Sequence, residues 1–395
     1  MKKNLLKRIG AVALAVAVSL TMGTAAFATD MGTGGTVETD SASVTLKKAI
    51  KVTNYSGYAY EPTITYTYTL SDGTAGGTVT DNSDPAITAH YKAGKVEYLA
   101  TGCTAAQTAV FSSENTATSG SNATRDLTWT FNPGAFPSAG VYRYVVAETA
   151  TSVTPASIGI DRPSTYDTSK YLDVYVKNGT DGLAIYGYAL VDSENSAVTS
   201  ASKKSQGWNA TTEQQDDLDK YTTYNITVTK KITGAGADKT AKFPFTVTLT
   251  GNMANAKVAV DGTGDSIGLA DGSATGTLGN DKTLIIKGLP TTVKFAVSEG
   301  NPTPDAYKAT AVVGGVSGTT AVSGAELAGG ATSLDVVTGG DISKATDAIT
   351  IDVTNDLDII SPTNVVMRFA PFLFIFGAAI LLLVVMRRRK TQDAE

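Results

Sequence analysis

Two lysines stand at positions that lysines rarely occupy. Val44, Leu46, Lys48 and Ile50 share one parity of an alternating stretch, and Ile226, Val228, Lys230 and Ile232 share one parity of another. Alternate side chains of a strand lie on one face, so each lysine points with its aliphatic neighbours toward a core. A core-facing ammonium needs a partner. Each half supplies an acid of inward parity further on: Glu148 with Tyr142, Tyr144 and Val146, and Glu299 with Val293, Phe295 and Val297. A third polar residue closes each half. Asn355 shares a face with Ile349, Ile351 and Val353, so the second core gathers Lys230, Glu299 and Asn355. The first half ends in Gln214-Gln215-Asp216-Asp217-Leu218-Asp219-Lys220, where spacing to the next lysine favours Asp219, with Asp217 second.

Burial disfavours charge, lowering an amine's pKa and raising a carboxyl's. Such a set is one of two things. It is a satisfied Lys–Glu ion pair with a hydrogen-bonding neighbour, or a neutral amine nucleophile beside a carboxyl that can shuttle a proton.

The elements that must position these residues read as strands. Ile64 to Leu70, Leu127 to Phe131, Phe243 to Leu249 and Ile349 to Val353 alternate apolar and polar residues between Thr-, Gly- and Asp-rich turns. Leu172 to Val176 and Leu183 to Tyr188 flank Asn178-Gly179-Thr180-Asp181-Gly182 and form a hairpin. No soluble amphipathic helix is expected. The lysine-to-acid pattern occurs twice, so we expect an all-β chain of two tandem immunoglobulin-like β-sandwiches, at residues 29–222 and 223–360.

The chain has 395 residues, one Cys and one His. That excludes an internal disulfide framework, Cys-based zinc and multi-histidine metal sites. No metal or cofactor is expected. The net charge of −5 gives no basic footprint for nucleic acid. Cys103 and His90 lack an orienting partner and form no convincing catalytic pair. The Gly/Asp runs from Asp261 to Asp271 are turns rather than a calcium loop.

Both ends differ from the body. Residues 1–28 have a basic start (Lys2, Lys3, Lys7, Arg8), an apolar run from Ala11 to Leu20 and a small-residue site ending at Ala28, the pattern of a cleaved signal peptide. At the other end, residues 369–386 are apolar and Arg387-Arg388-Arg389-Lys390 follows. A helix there would span about 27 Å, close to a bilayer's hydrocarbon core. The basic cluster would stay cytoplasmic.

Ile360-Ser361-Pro362-Thr363-Asn364 stands just before this apolar stretch, and the three parts resemble a Gram-positive cell-wall sorting signal at 361–395. Pro362 and Thr363 match its core, Asn364 replaces the usual Gly, and the usual Leu is missing. The resemblance implies sortase cleavage after Thr363 and transfer of its carbonyl to an amine.

The body is similar to the sortase-assembled backbone pilins of Gram-positive bacteria, the T-antigen-like family built from two isopeptide-linkage domains of the collagen-adhesin B type. The residues carrying this are the Val-x-Leu/Val-x-Lys strands, the Leu289-Pro290…Phe295-x-Val297-x-Glu299 box, Val353-Thr354-Asn355, and Tyr166 to Val176. The resemblance implies that Lys230 joins Asn355, and Lys48 joins Asp219, through side-chain amides promoted by Glu299 and Glu148. This is a single autocatalytic turnover rather than enzyme activity. It also implies a secreted, wall-linked surface protein whose precursor touches the membrane only through its C-terminal segment. Its partners would be sortase and neighbouring pilin subunits or peptidoglycan. Lys203 and Lys204 are the candidate polymerising lysines. A monomeric wall-anchored adhesin binding a host protein or glycan is the alternative.

Overall fold

The computed structural model describes residues 42–76, 78–81, 87–191, 207–208, 218–358 and 380. Within them the chain is built from strands, short 3-10 turns and loops. No helix among the described residues is long and apolar enough to cross a membrane.

The first half pairs two sheets. One has Ser43–Asn54 between the antiparallel Ser121–Thr130 and the parallel start of Asp219–Thr233. The other runs Gly182–Val191, Ser169–Gly179, Gly140–Thr151, Ile64–Asp72 and Ala106–Phe111 in spatial order. Leu46, Ile50, Leu127 and Trp129 from the first sheet meet Tyr66, Tyr144, Val146 and Leu172 from the second in one core. The alternating burial of Ser43–Asn54 continues through Lys48, which is fully buried. The hairpin expected after Leu172 forms, turning between Gly179 and Gly182.

The second half repeats this plan. Asp219–Thr233 lies parallel to Ala345–Asp356 and antiparallel to Thr283–Pro290. The facing sheet places Phe243–Thr250 between Ser273–Leu278 and Lys294–Glu299, with Leu334–Asp341 beyond. Ile226, Val228, Ile351 and Val353 pack against Phe243, Phe245, Val247 and Val297.

One strand therefore serves both halves. Asp219–Thr233 pairs with the opening strand of the first half up to Thr223, and from Ile226 onward with the closing strand of the second. The joint is polar. Asn54 Nδ2 donates to Thr223 Oγ1 (2.9 Å) and Asn225 Oδ1 (3.2 Å), while Gly288 N donates to Asn225 Oδ1 (3.0 Å). Tyr55 stacks on Tyr224 beside it, with ring centroids 5.4 Å apart.

Candidate functional site: two buried lysine centres

Both lysines meet their third residue in the same register. Ile50 is paired with Asp219 and Ile232 with Asn355, in each case two residues beyond the lysine on a parallel neighbour. A step of two keeps the same face, so each lysine and its partner are diagonal neighbours on the core side. The glutamates arrive from the facing sheet. Glu148 lies opposite Tyr68, and Glu299 opposite Phe245.

In the second centre, Lys230, Glu299 and Asn355 are all fully buried. Lys230 Nζ is 2.9 Å from Glu299 Oε1. Asn355 Nδ2 donates to that same oxygen (2.8 Å). The lysine lies over the rings of Phe243 (4.7 Å to the centroid) and Phe245 (5.9 Å). Nothing on those rings can accept or donate a hydrogen bond. Glu299 Oε2 and Asn355 Oδ1 have no hydrogen-bond donor among the described residues, and Lys230 Nζ has the Glu299 Oε1 ion pair as its one polar contact there. Burial pushes the Lys230 amine down to about 8, against the pull of Glu299. Burial also pushes Glu299 up, outweighing Lys230. Amine and acid are thus brought toward proton exchange.

The first centre is saturated. Lys48 Nζ donates to Asp219 Oδ2 (2.7 Å) and to the Tyr166 hydroxyl (3.1 Å). Tyr66 donates to the same Asp219 oxygen (2.7 Å). Tyr166 and Tyr68 both donate to Glu148 Oε2, at 2.6 and 3.0 Å. Arg162 bridges the two acids. Its Nε and Nη2 donate to Asp219 Oδ1 and Oδ2 (2.9 and 3.0 Å), and Nη1 and Nη2 to Glu148 Oε1 and Oε2 (2.8 and 3.3 Å). Burial alone would raise Asp219, but Lys48 and Arg162 outweigh it and hold the carboxyl below its ordinary range. Burial lowers Lys48 despite Asp219 beside it.

The structure thus gathers Lys48, Glu148 and Asp219 in one centre, and Lys230, Glu299 and Asn355 in the other. Ala28, Lys203, Lys204, Asp217, Pro362, Thr363 and Asn364 lie outside the described residues, as do the signal peptide and, apart from Ile380, the apolar segment 369–386. Cys103 is partly buried and accepts from Thr130 N at 3.3 Å. No group of three or more His, Cys, Asp or Glu among the described residues could hold a metal.

Sequence reasoning missed four members of the first centre. Tyr66 and Tyr68 share the inward parity of Ile64 and Leu70, so their hydroxyls had to find buried partners. Tyr166 precedes its strand, which begins at Ser169, and Arg162 lies in an irregular loop where periodicity says nothing. A third fully buried lysine, Lys170, shares parity with Leu172 and Val174 and lies 5.8 Å from the Trp208 ring.

Residues 48–197 match the model of the Spy0128-like isopeptide containing domain, and residues 224–356 match one described as a domain of unknown function. A curated relative, a pilin of Streptococcus pyogenes serotype M1, is 28% identical over 266 residues, covering 64% of this chain and 68% of that protein. Among solved structures, the major pilin T3.2 of S. pyogenes covers 81% of this chain and 99% of its own at 22% identity, with a TM-score of 0.45. Another S. pyogenes major pilin covers 81% and 99% at 19% identity, with a TM-score of 0.43.

Proposed function

We infer that this chain, a member of the sortase-assembled pilin family, is a backbone subunit of a bacterial surface pilus. It is a structural protein that polymerises with other pilin subunits at the cell surface. The wall-anchored adhesin alternative is not favoured, because the curated relative is itself a pilin.

The second half is proposed to close an amide between Lys230 and Asn355. The observation that carries this is the fully buried trio itself: Lys230 Nζ and Asn355 Nδ2 converge on Glu299 Oε1 at 2.9 and 2.8 Å, while Glu299 Oε2 and Asn355 Oδ1 stay without a hydrogen bond among the described residues. Lys230 keeps its 2.9 Å ion pair, but a fully satisfied set would not leave Glu299 Oε2 and Asn355 Oδ1 buried without donors, at about 1–3 kcal/mol each. Lys230 passes a proton to Glu299, and the neutral amine attacks the Asn355 carbonyl carbon. The C–N bond to Nδ2 then breaks; ammonia leaves with one of the two protons given up by the Lys230 ammonium, relayed through Glu299, and Glu299 keeps the other. Fixed geometry replaces the concentration that a free amine and amide lack. Lys48, Asp219 and Glu148 form the corresponding first-half set, whose amide would release water. A bond between opening and closing strands suits a fibre under tension, because force reaching the two ends loads that pair of strands.

We further propose sortase cleavage between Thr363 and Asn364, signal cleavage after Ala28, a membrane-held precursor, and Lys203 or Lys204 as the acceptor for the next subunit. Domain limits at 29–222 and 223–360 belong to the same reading, since the shared strand changes partner between Thr223 and Ile226. Peptide mapping of the chain tests the crosslink. A linked Lys230–Asn355 peptide lighter by about 17 Da, lost in Glu299→Ala, is expected. Separate unmodified peptides in the wild type would refute it. On cells, Thr363→Ala should keep the protein in the membrane fraction, and changing both Lys203 and Lys204 to Ala should abolish the polymer ladder.

A further inference from the structure

Among the described residues Arg162 has no counterpart in the second centre. Its guanidinium grips both oxygens of Asp219 and both oxygens of Glu148. With Lys48 and Tyr66 added, Asp219 accepts four hydrogen bonds. Glu148 Oε2 also accepts from Tyr68 and Tyr166. The second centre differs in each respect. Its acceptor is an uncharged amide, and its acid keeps one oxygen without a hydrogen bond.

Arg162 is also firmly seated. It follows Ile160–Asp161, which pairs with Tyr221 and Lys220 of the shared strand. Its guanidinium lies 3.9 Å from the Tyr166 ring centroid. The turn leading to it rests on the second half. Asn252 Nδ2 donates to Ser157 O (2.9 Å), and Gly159, at φ +85°, passes so close to Pro290 and Thr291 that an added Cβ would meet both within 3.1 Å.

Closing an amide here forms the Lys48 Nζ–Asp219 Cγ bond and breaks one Asp219 C–O bond. The oxygen leaves as water with two protons, both supplied by the Lys48 ammonium, so no further reactant is needed. One of these protons must reach Asp219 before the amine attacks, since a carboxylate is a poor acyl acceptor. That transfer would break the charge-assisted pair between Asp219 and the guanidinium and leave Arg162 with Glu148 alone, and Glu148 is itself committed to Arg162.

We propose that Arg162 arrests the first half at the ion-pair stage: while the guanidinium sits on Asp219 and Glu148, Lys48 and Asp219 stay unbonded and only the second half closes its amide. Arg162 acts here as a positioning residue, fixing the acceptor in its unreactive form. The proposal rests on the crosslink reading of these centres, with the second as its internal control.

The test is peptide mapping of the full chain at neutral pH. In the wild type the Lys230–Asn355 peptide is expected linked and the Lys48 and Asp219 peptides free. In Arg162→Gln a Lys48–Asp219 peptide lighter by about 18 Da should appear in most molecules. Arg162→Lys keeps the charge and should stay open. A merely structural arginine would not, on removal, create a new bond. A wild type already linked at Lys48 overturns the proposal, as does an Arg162→Gln chain that unfolds at the wild-type temperature yet stays unlinked there. If Arg162→Gln does not fold, Asp219→Asn decides, because its amide acceptor cannot be held as an anion. A Lys48 crosslink formed with loss of about 17 Da supports the proposal. A folded Asp219→Asn chain with free Lys48 overturns it. If the Lys230–Asn355 link is itself missing, the crosslink reading fails, whatever Arg162 does.

Discussion

Lys48 and Lys230 occupy equivalent places in two similar sandwiches, and their surroundings differ by a few hydroxyls, one guanidinium and the acceptor, a carboxylate at Asp219 against an amide at Asn355. Tyr68 stands opposite Glu148 where Phe245 stands opposite Glu299. The tyrosine hydroxyl donates to its glutamate, while the phenylalanine ring has nothing to give. Arg162 then completes the first set. Burial lowers the amine in both centres. In the second it also raises the neighbouring acid, Glu299. In the first, the carboxyl beside the amine is the acceptor Asp219, which ends below its ordinary range because Lys48 and Arg162 outweigh burial. If Arg162 arrests the first centre as proposed, a buried lysine, a glutamate and a third residue in the right register are not sufficient for condensation. The remaining donors decide whether a proton is free to move.

The largest expected break in the comparison is Lys230→Ala. A covalent tie closing a loop of more than a hundred residues is worth about 5 kcal/mol by chain-entropy reasoning. Denaturant unfolding should show that loss, and mapping should show Asn355 intact. Asp219→Ala should cost about 4 kcal/mol by a different route, since it leaves the fully buried Lys48 without its carboxylate partner. It should do so with no change in the state of Lys48, which mass measurement checks.

Asn355→Ala sharpens the contrast through pH, because it keeps the Lys230–Glu299 pair uncrosslinked. The Lys230 value near 8 lies below the ordinary 10.5, so the unfolded chain binds more protons between them. Stability should rise with pH across that window, by about 3 kcal/mol. Glu299 is raised above its ordinary 4.5, so the folded chain holds the extra proton and stability falls as pH climbs from there. Unfolding of the variant should thus show a minimum between the two limbs. A wild type crosslinked as proposed has no Lys230 ammonium and should lack the upper limb.

The smallest effect is expected for Phe245→Tyr. A hydroxyl opposite Glu299 would stabilise its anion by about 1.4 kcal/mol and slow closure about tenfold. Time-resolved mass measurement during refolding checks this, and unchanged kinetics would remove the hydroxyls from the account.

The strands and the inward direction of both lysines were legible because the side-chain period of two is a local property. Val44 to Ile50 and Ile226 to Ile232 carry it without help from the rest of the fold. The inward glutamates were legible for the same reason, as was Asn355 beside Ile351 and Val353. Parity also pointed to Tyr66, Tyr68 and Lys170, had it been applied to every strand. What only the tertiary structure decided is how each set is neutralised. Arg162 lies in a loop with no period, and it reaches Glu148 and Asp219 only because Asp161 pairs with the shared strand. That one strand closes the first sandwich and opens the second is likewise a matter of pairing between distant segments. Local sequence fixes which face a side chain takes. Which charges meet across a core depends on sheet register and loop placement, and these exist only once the chain has folded.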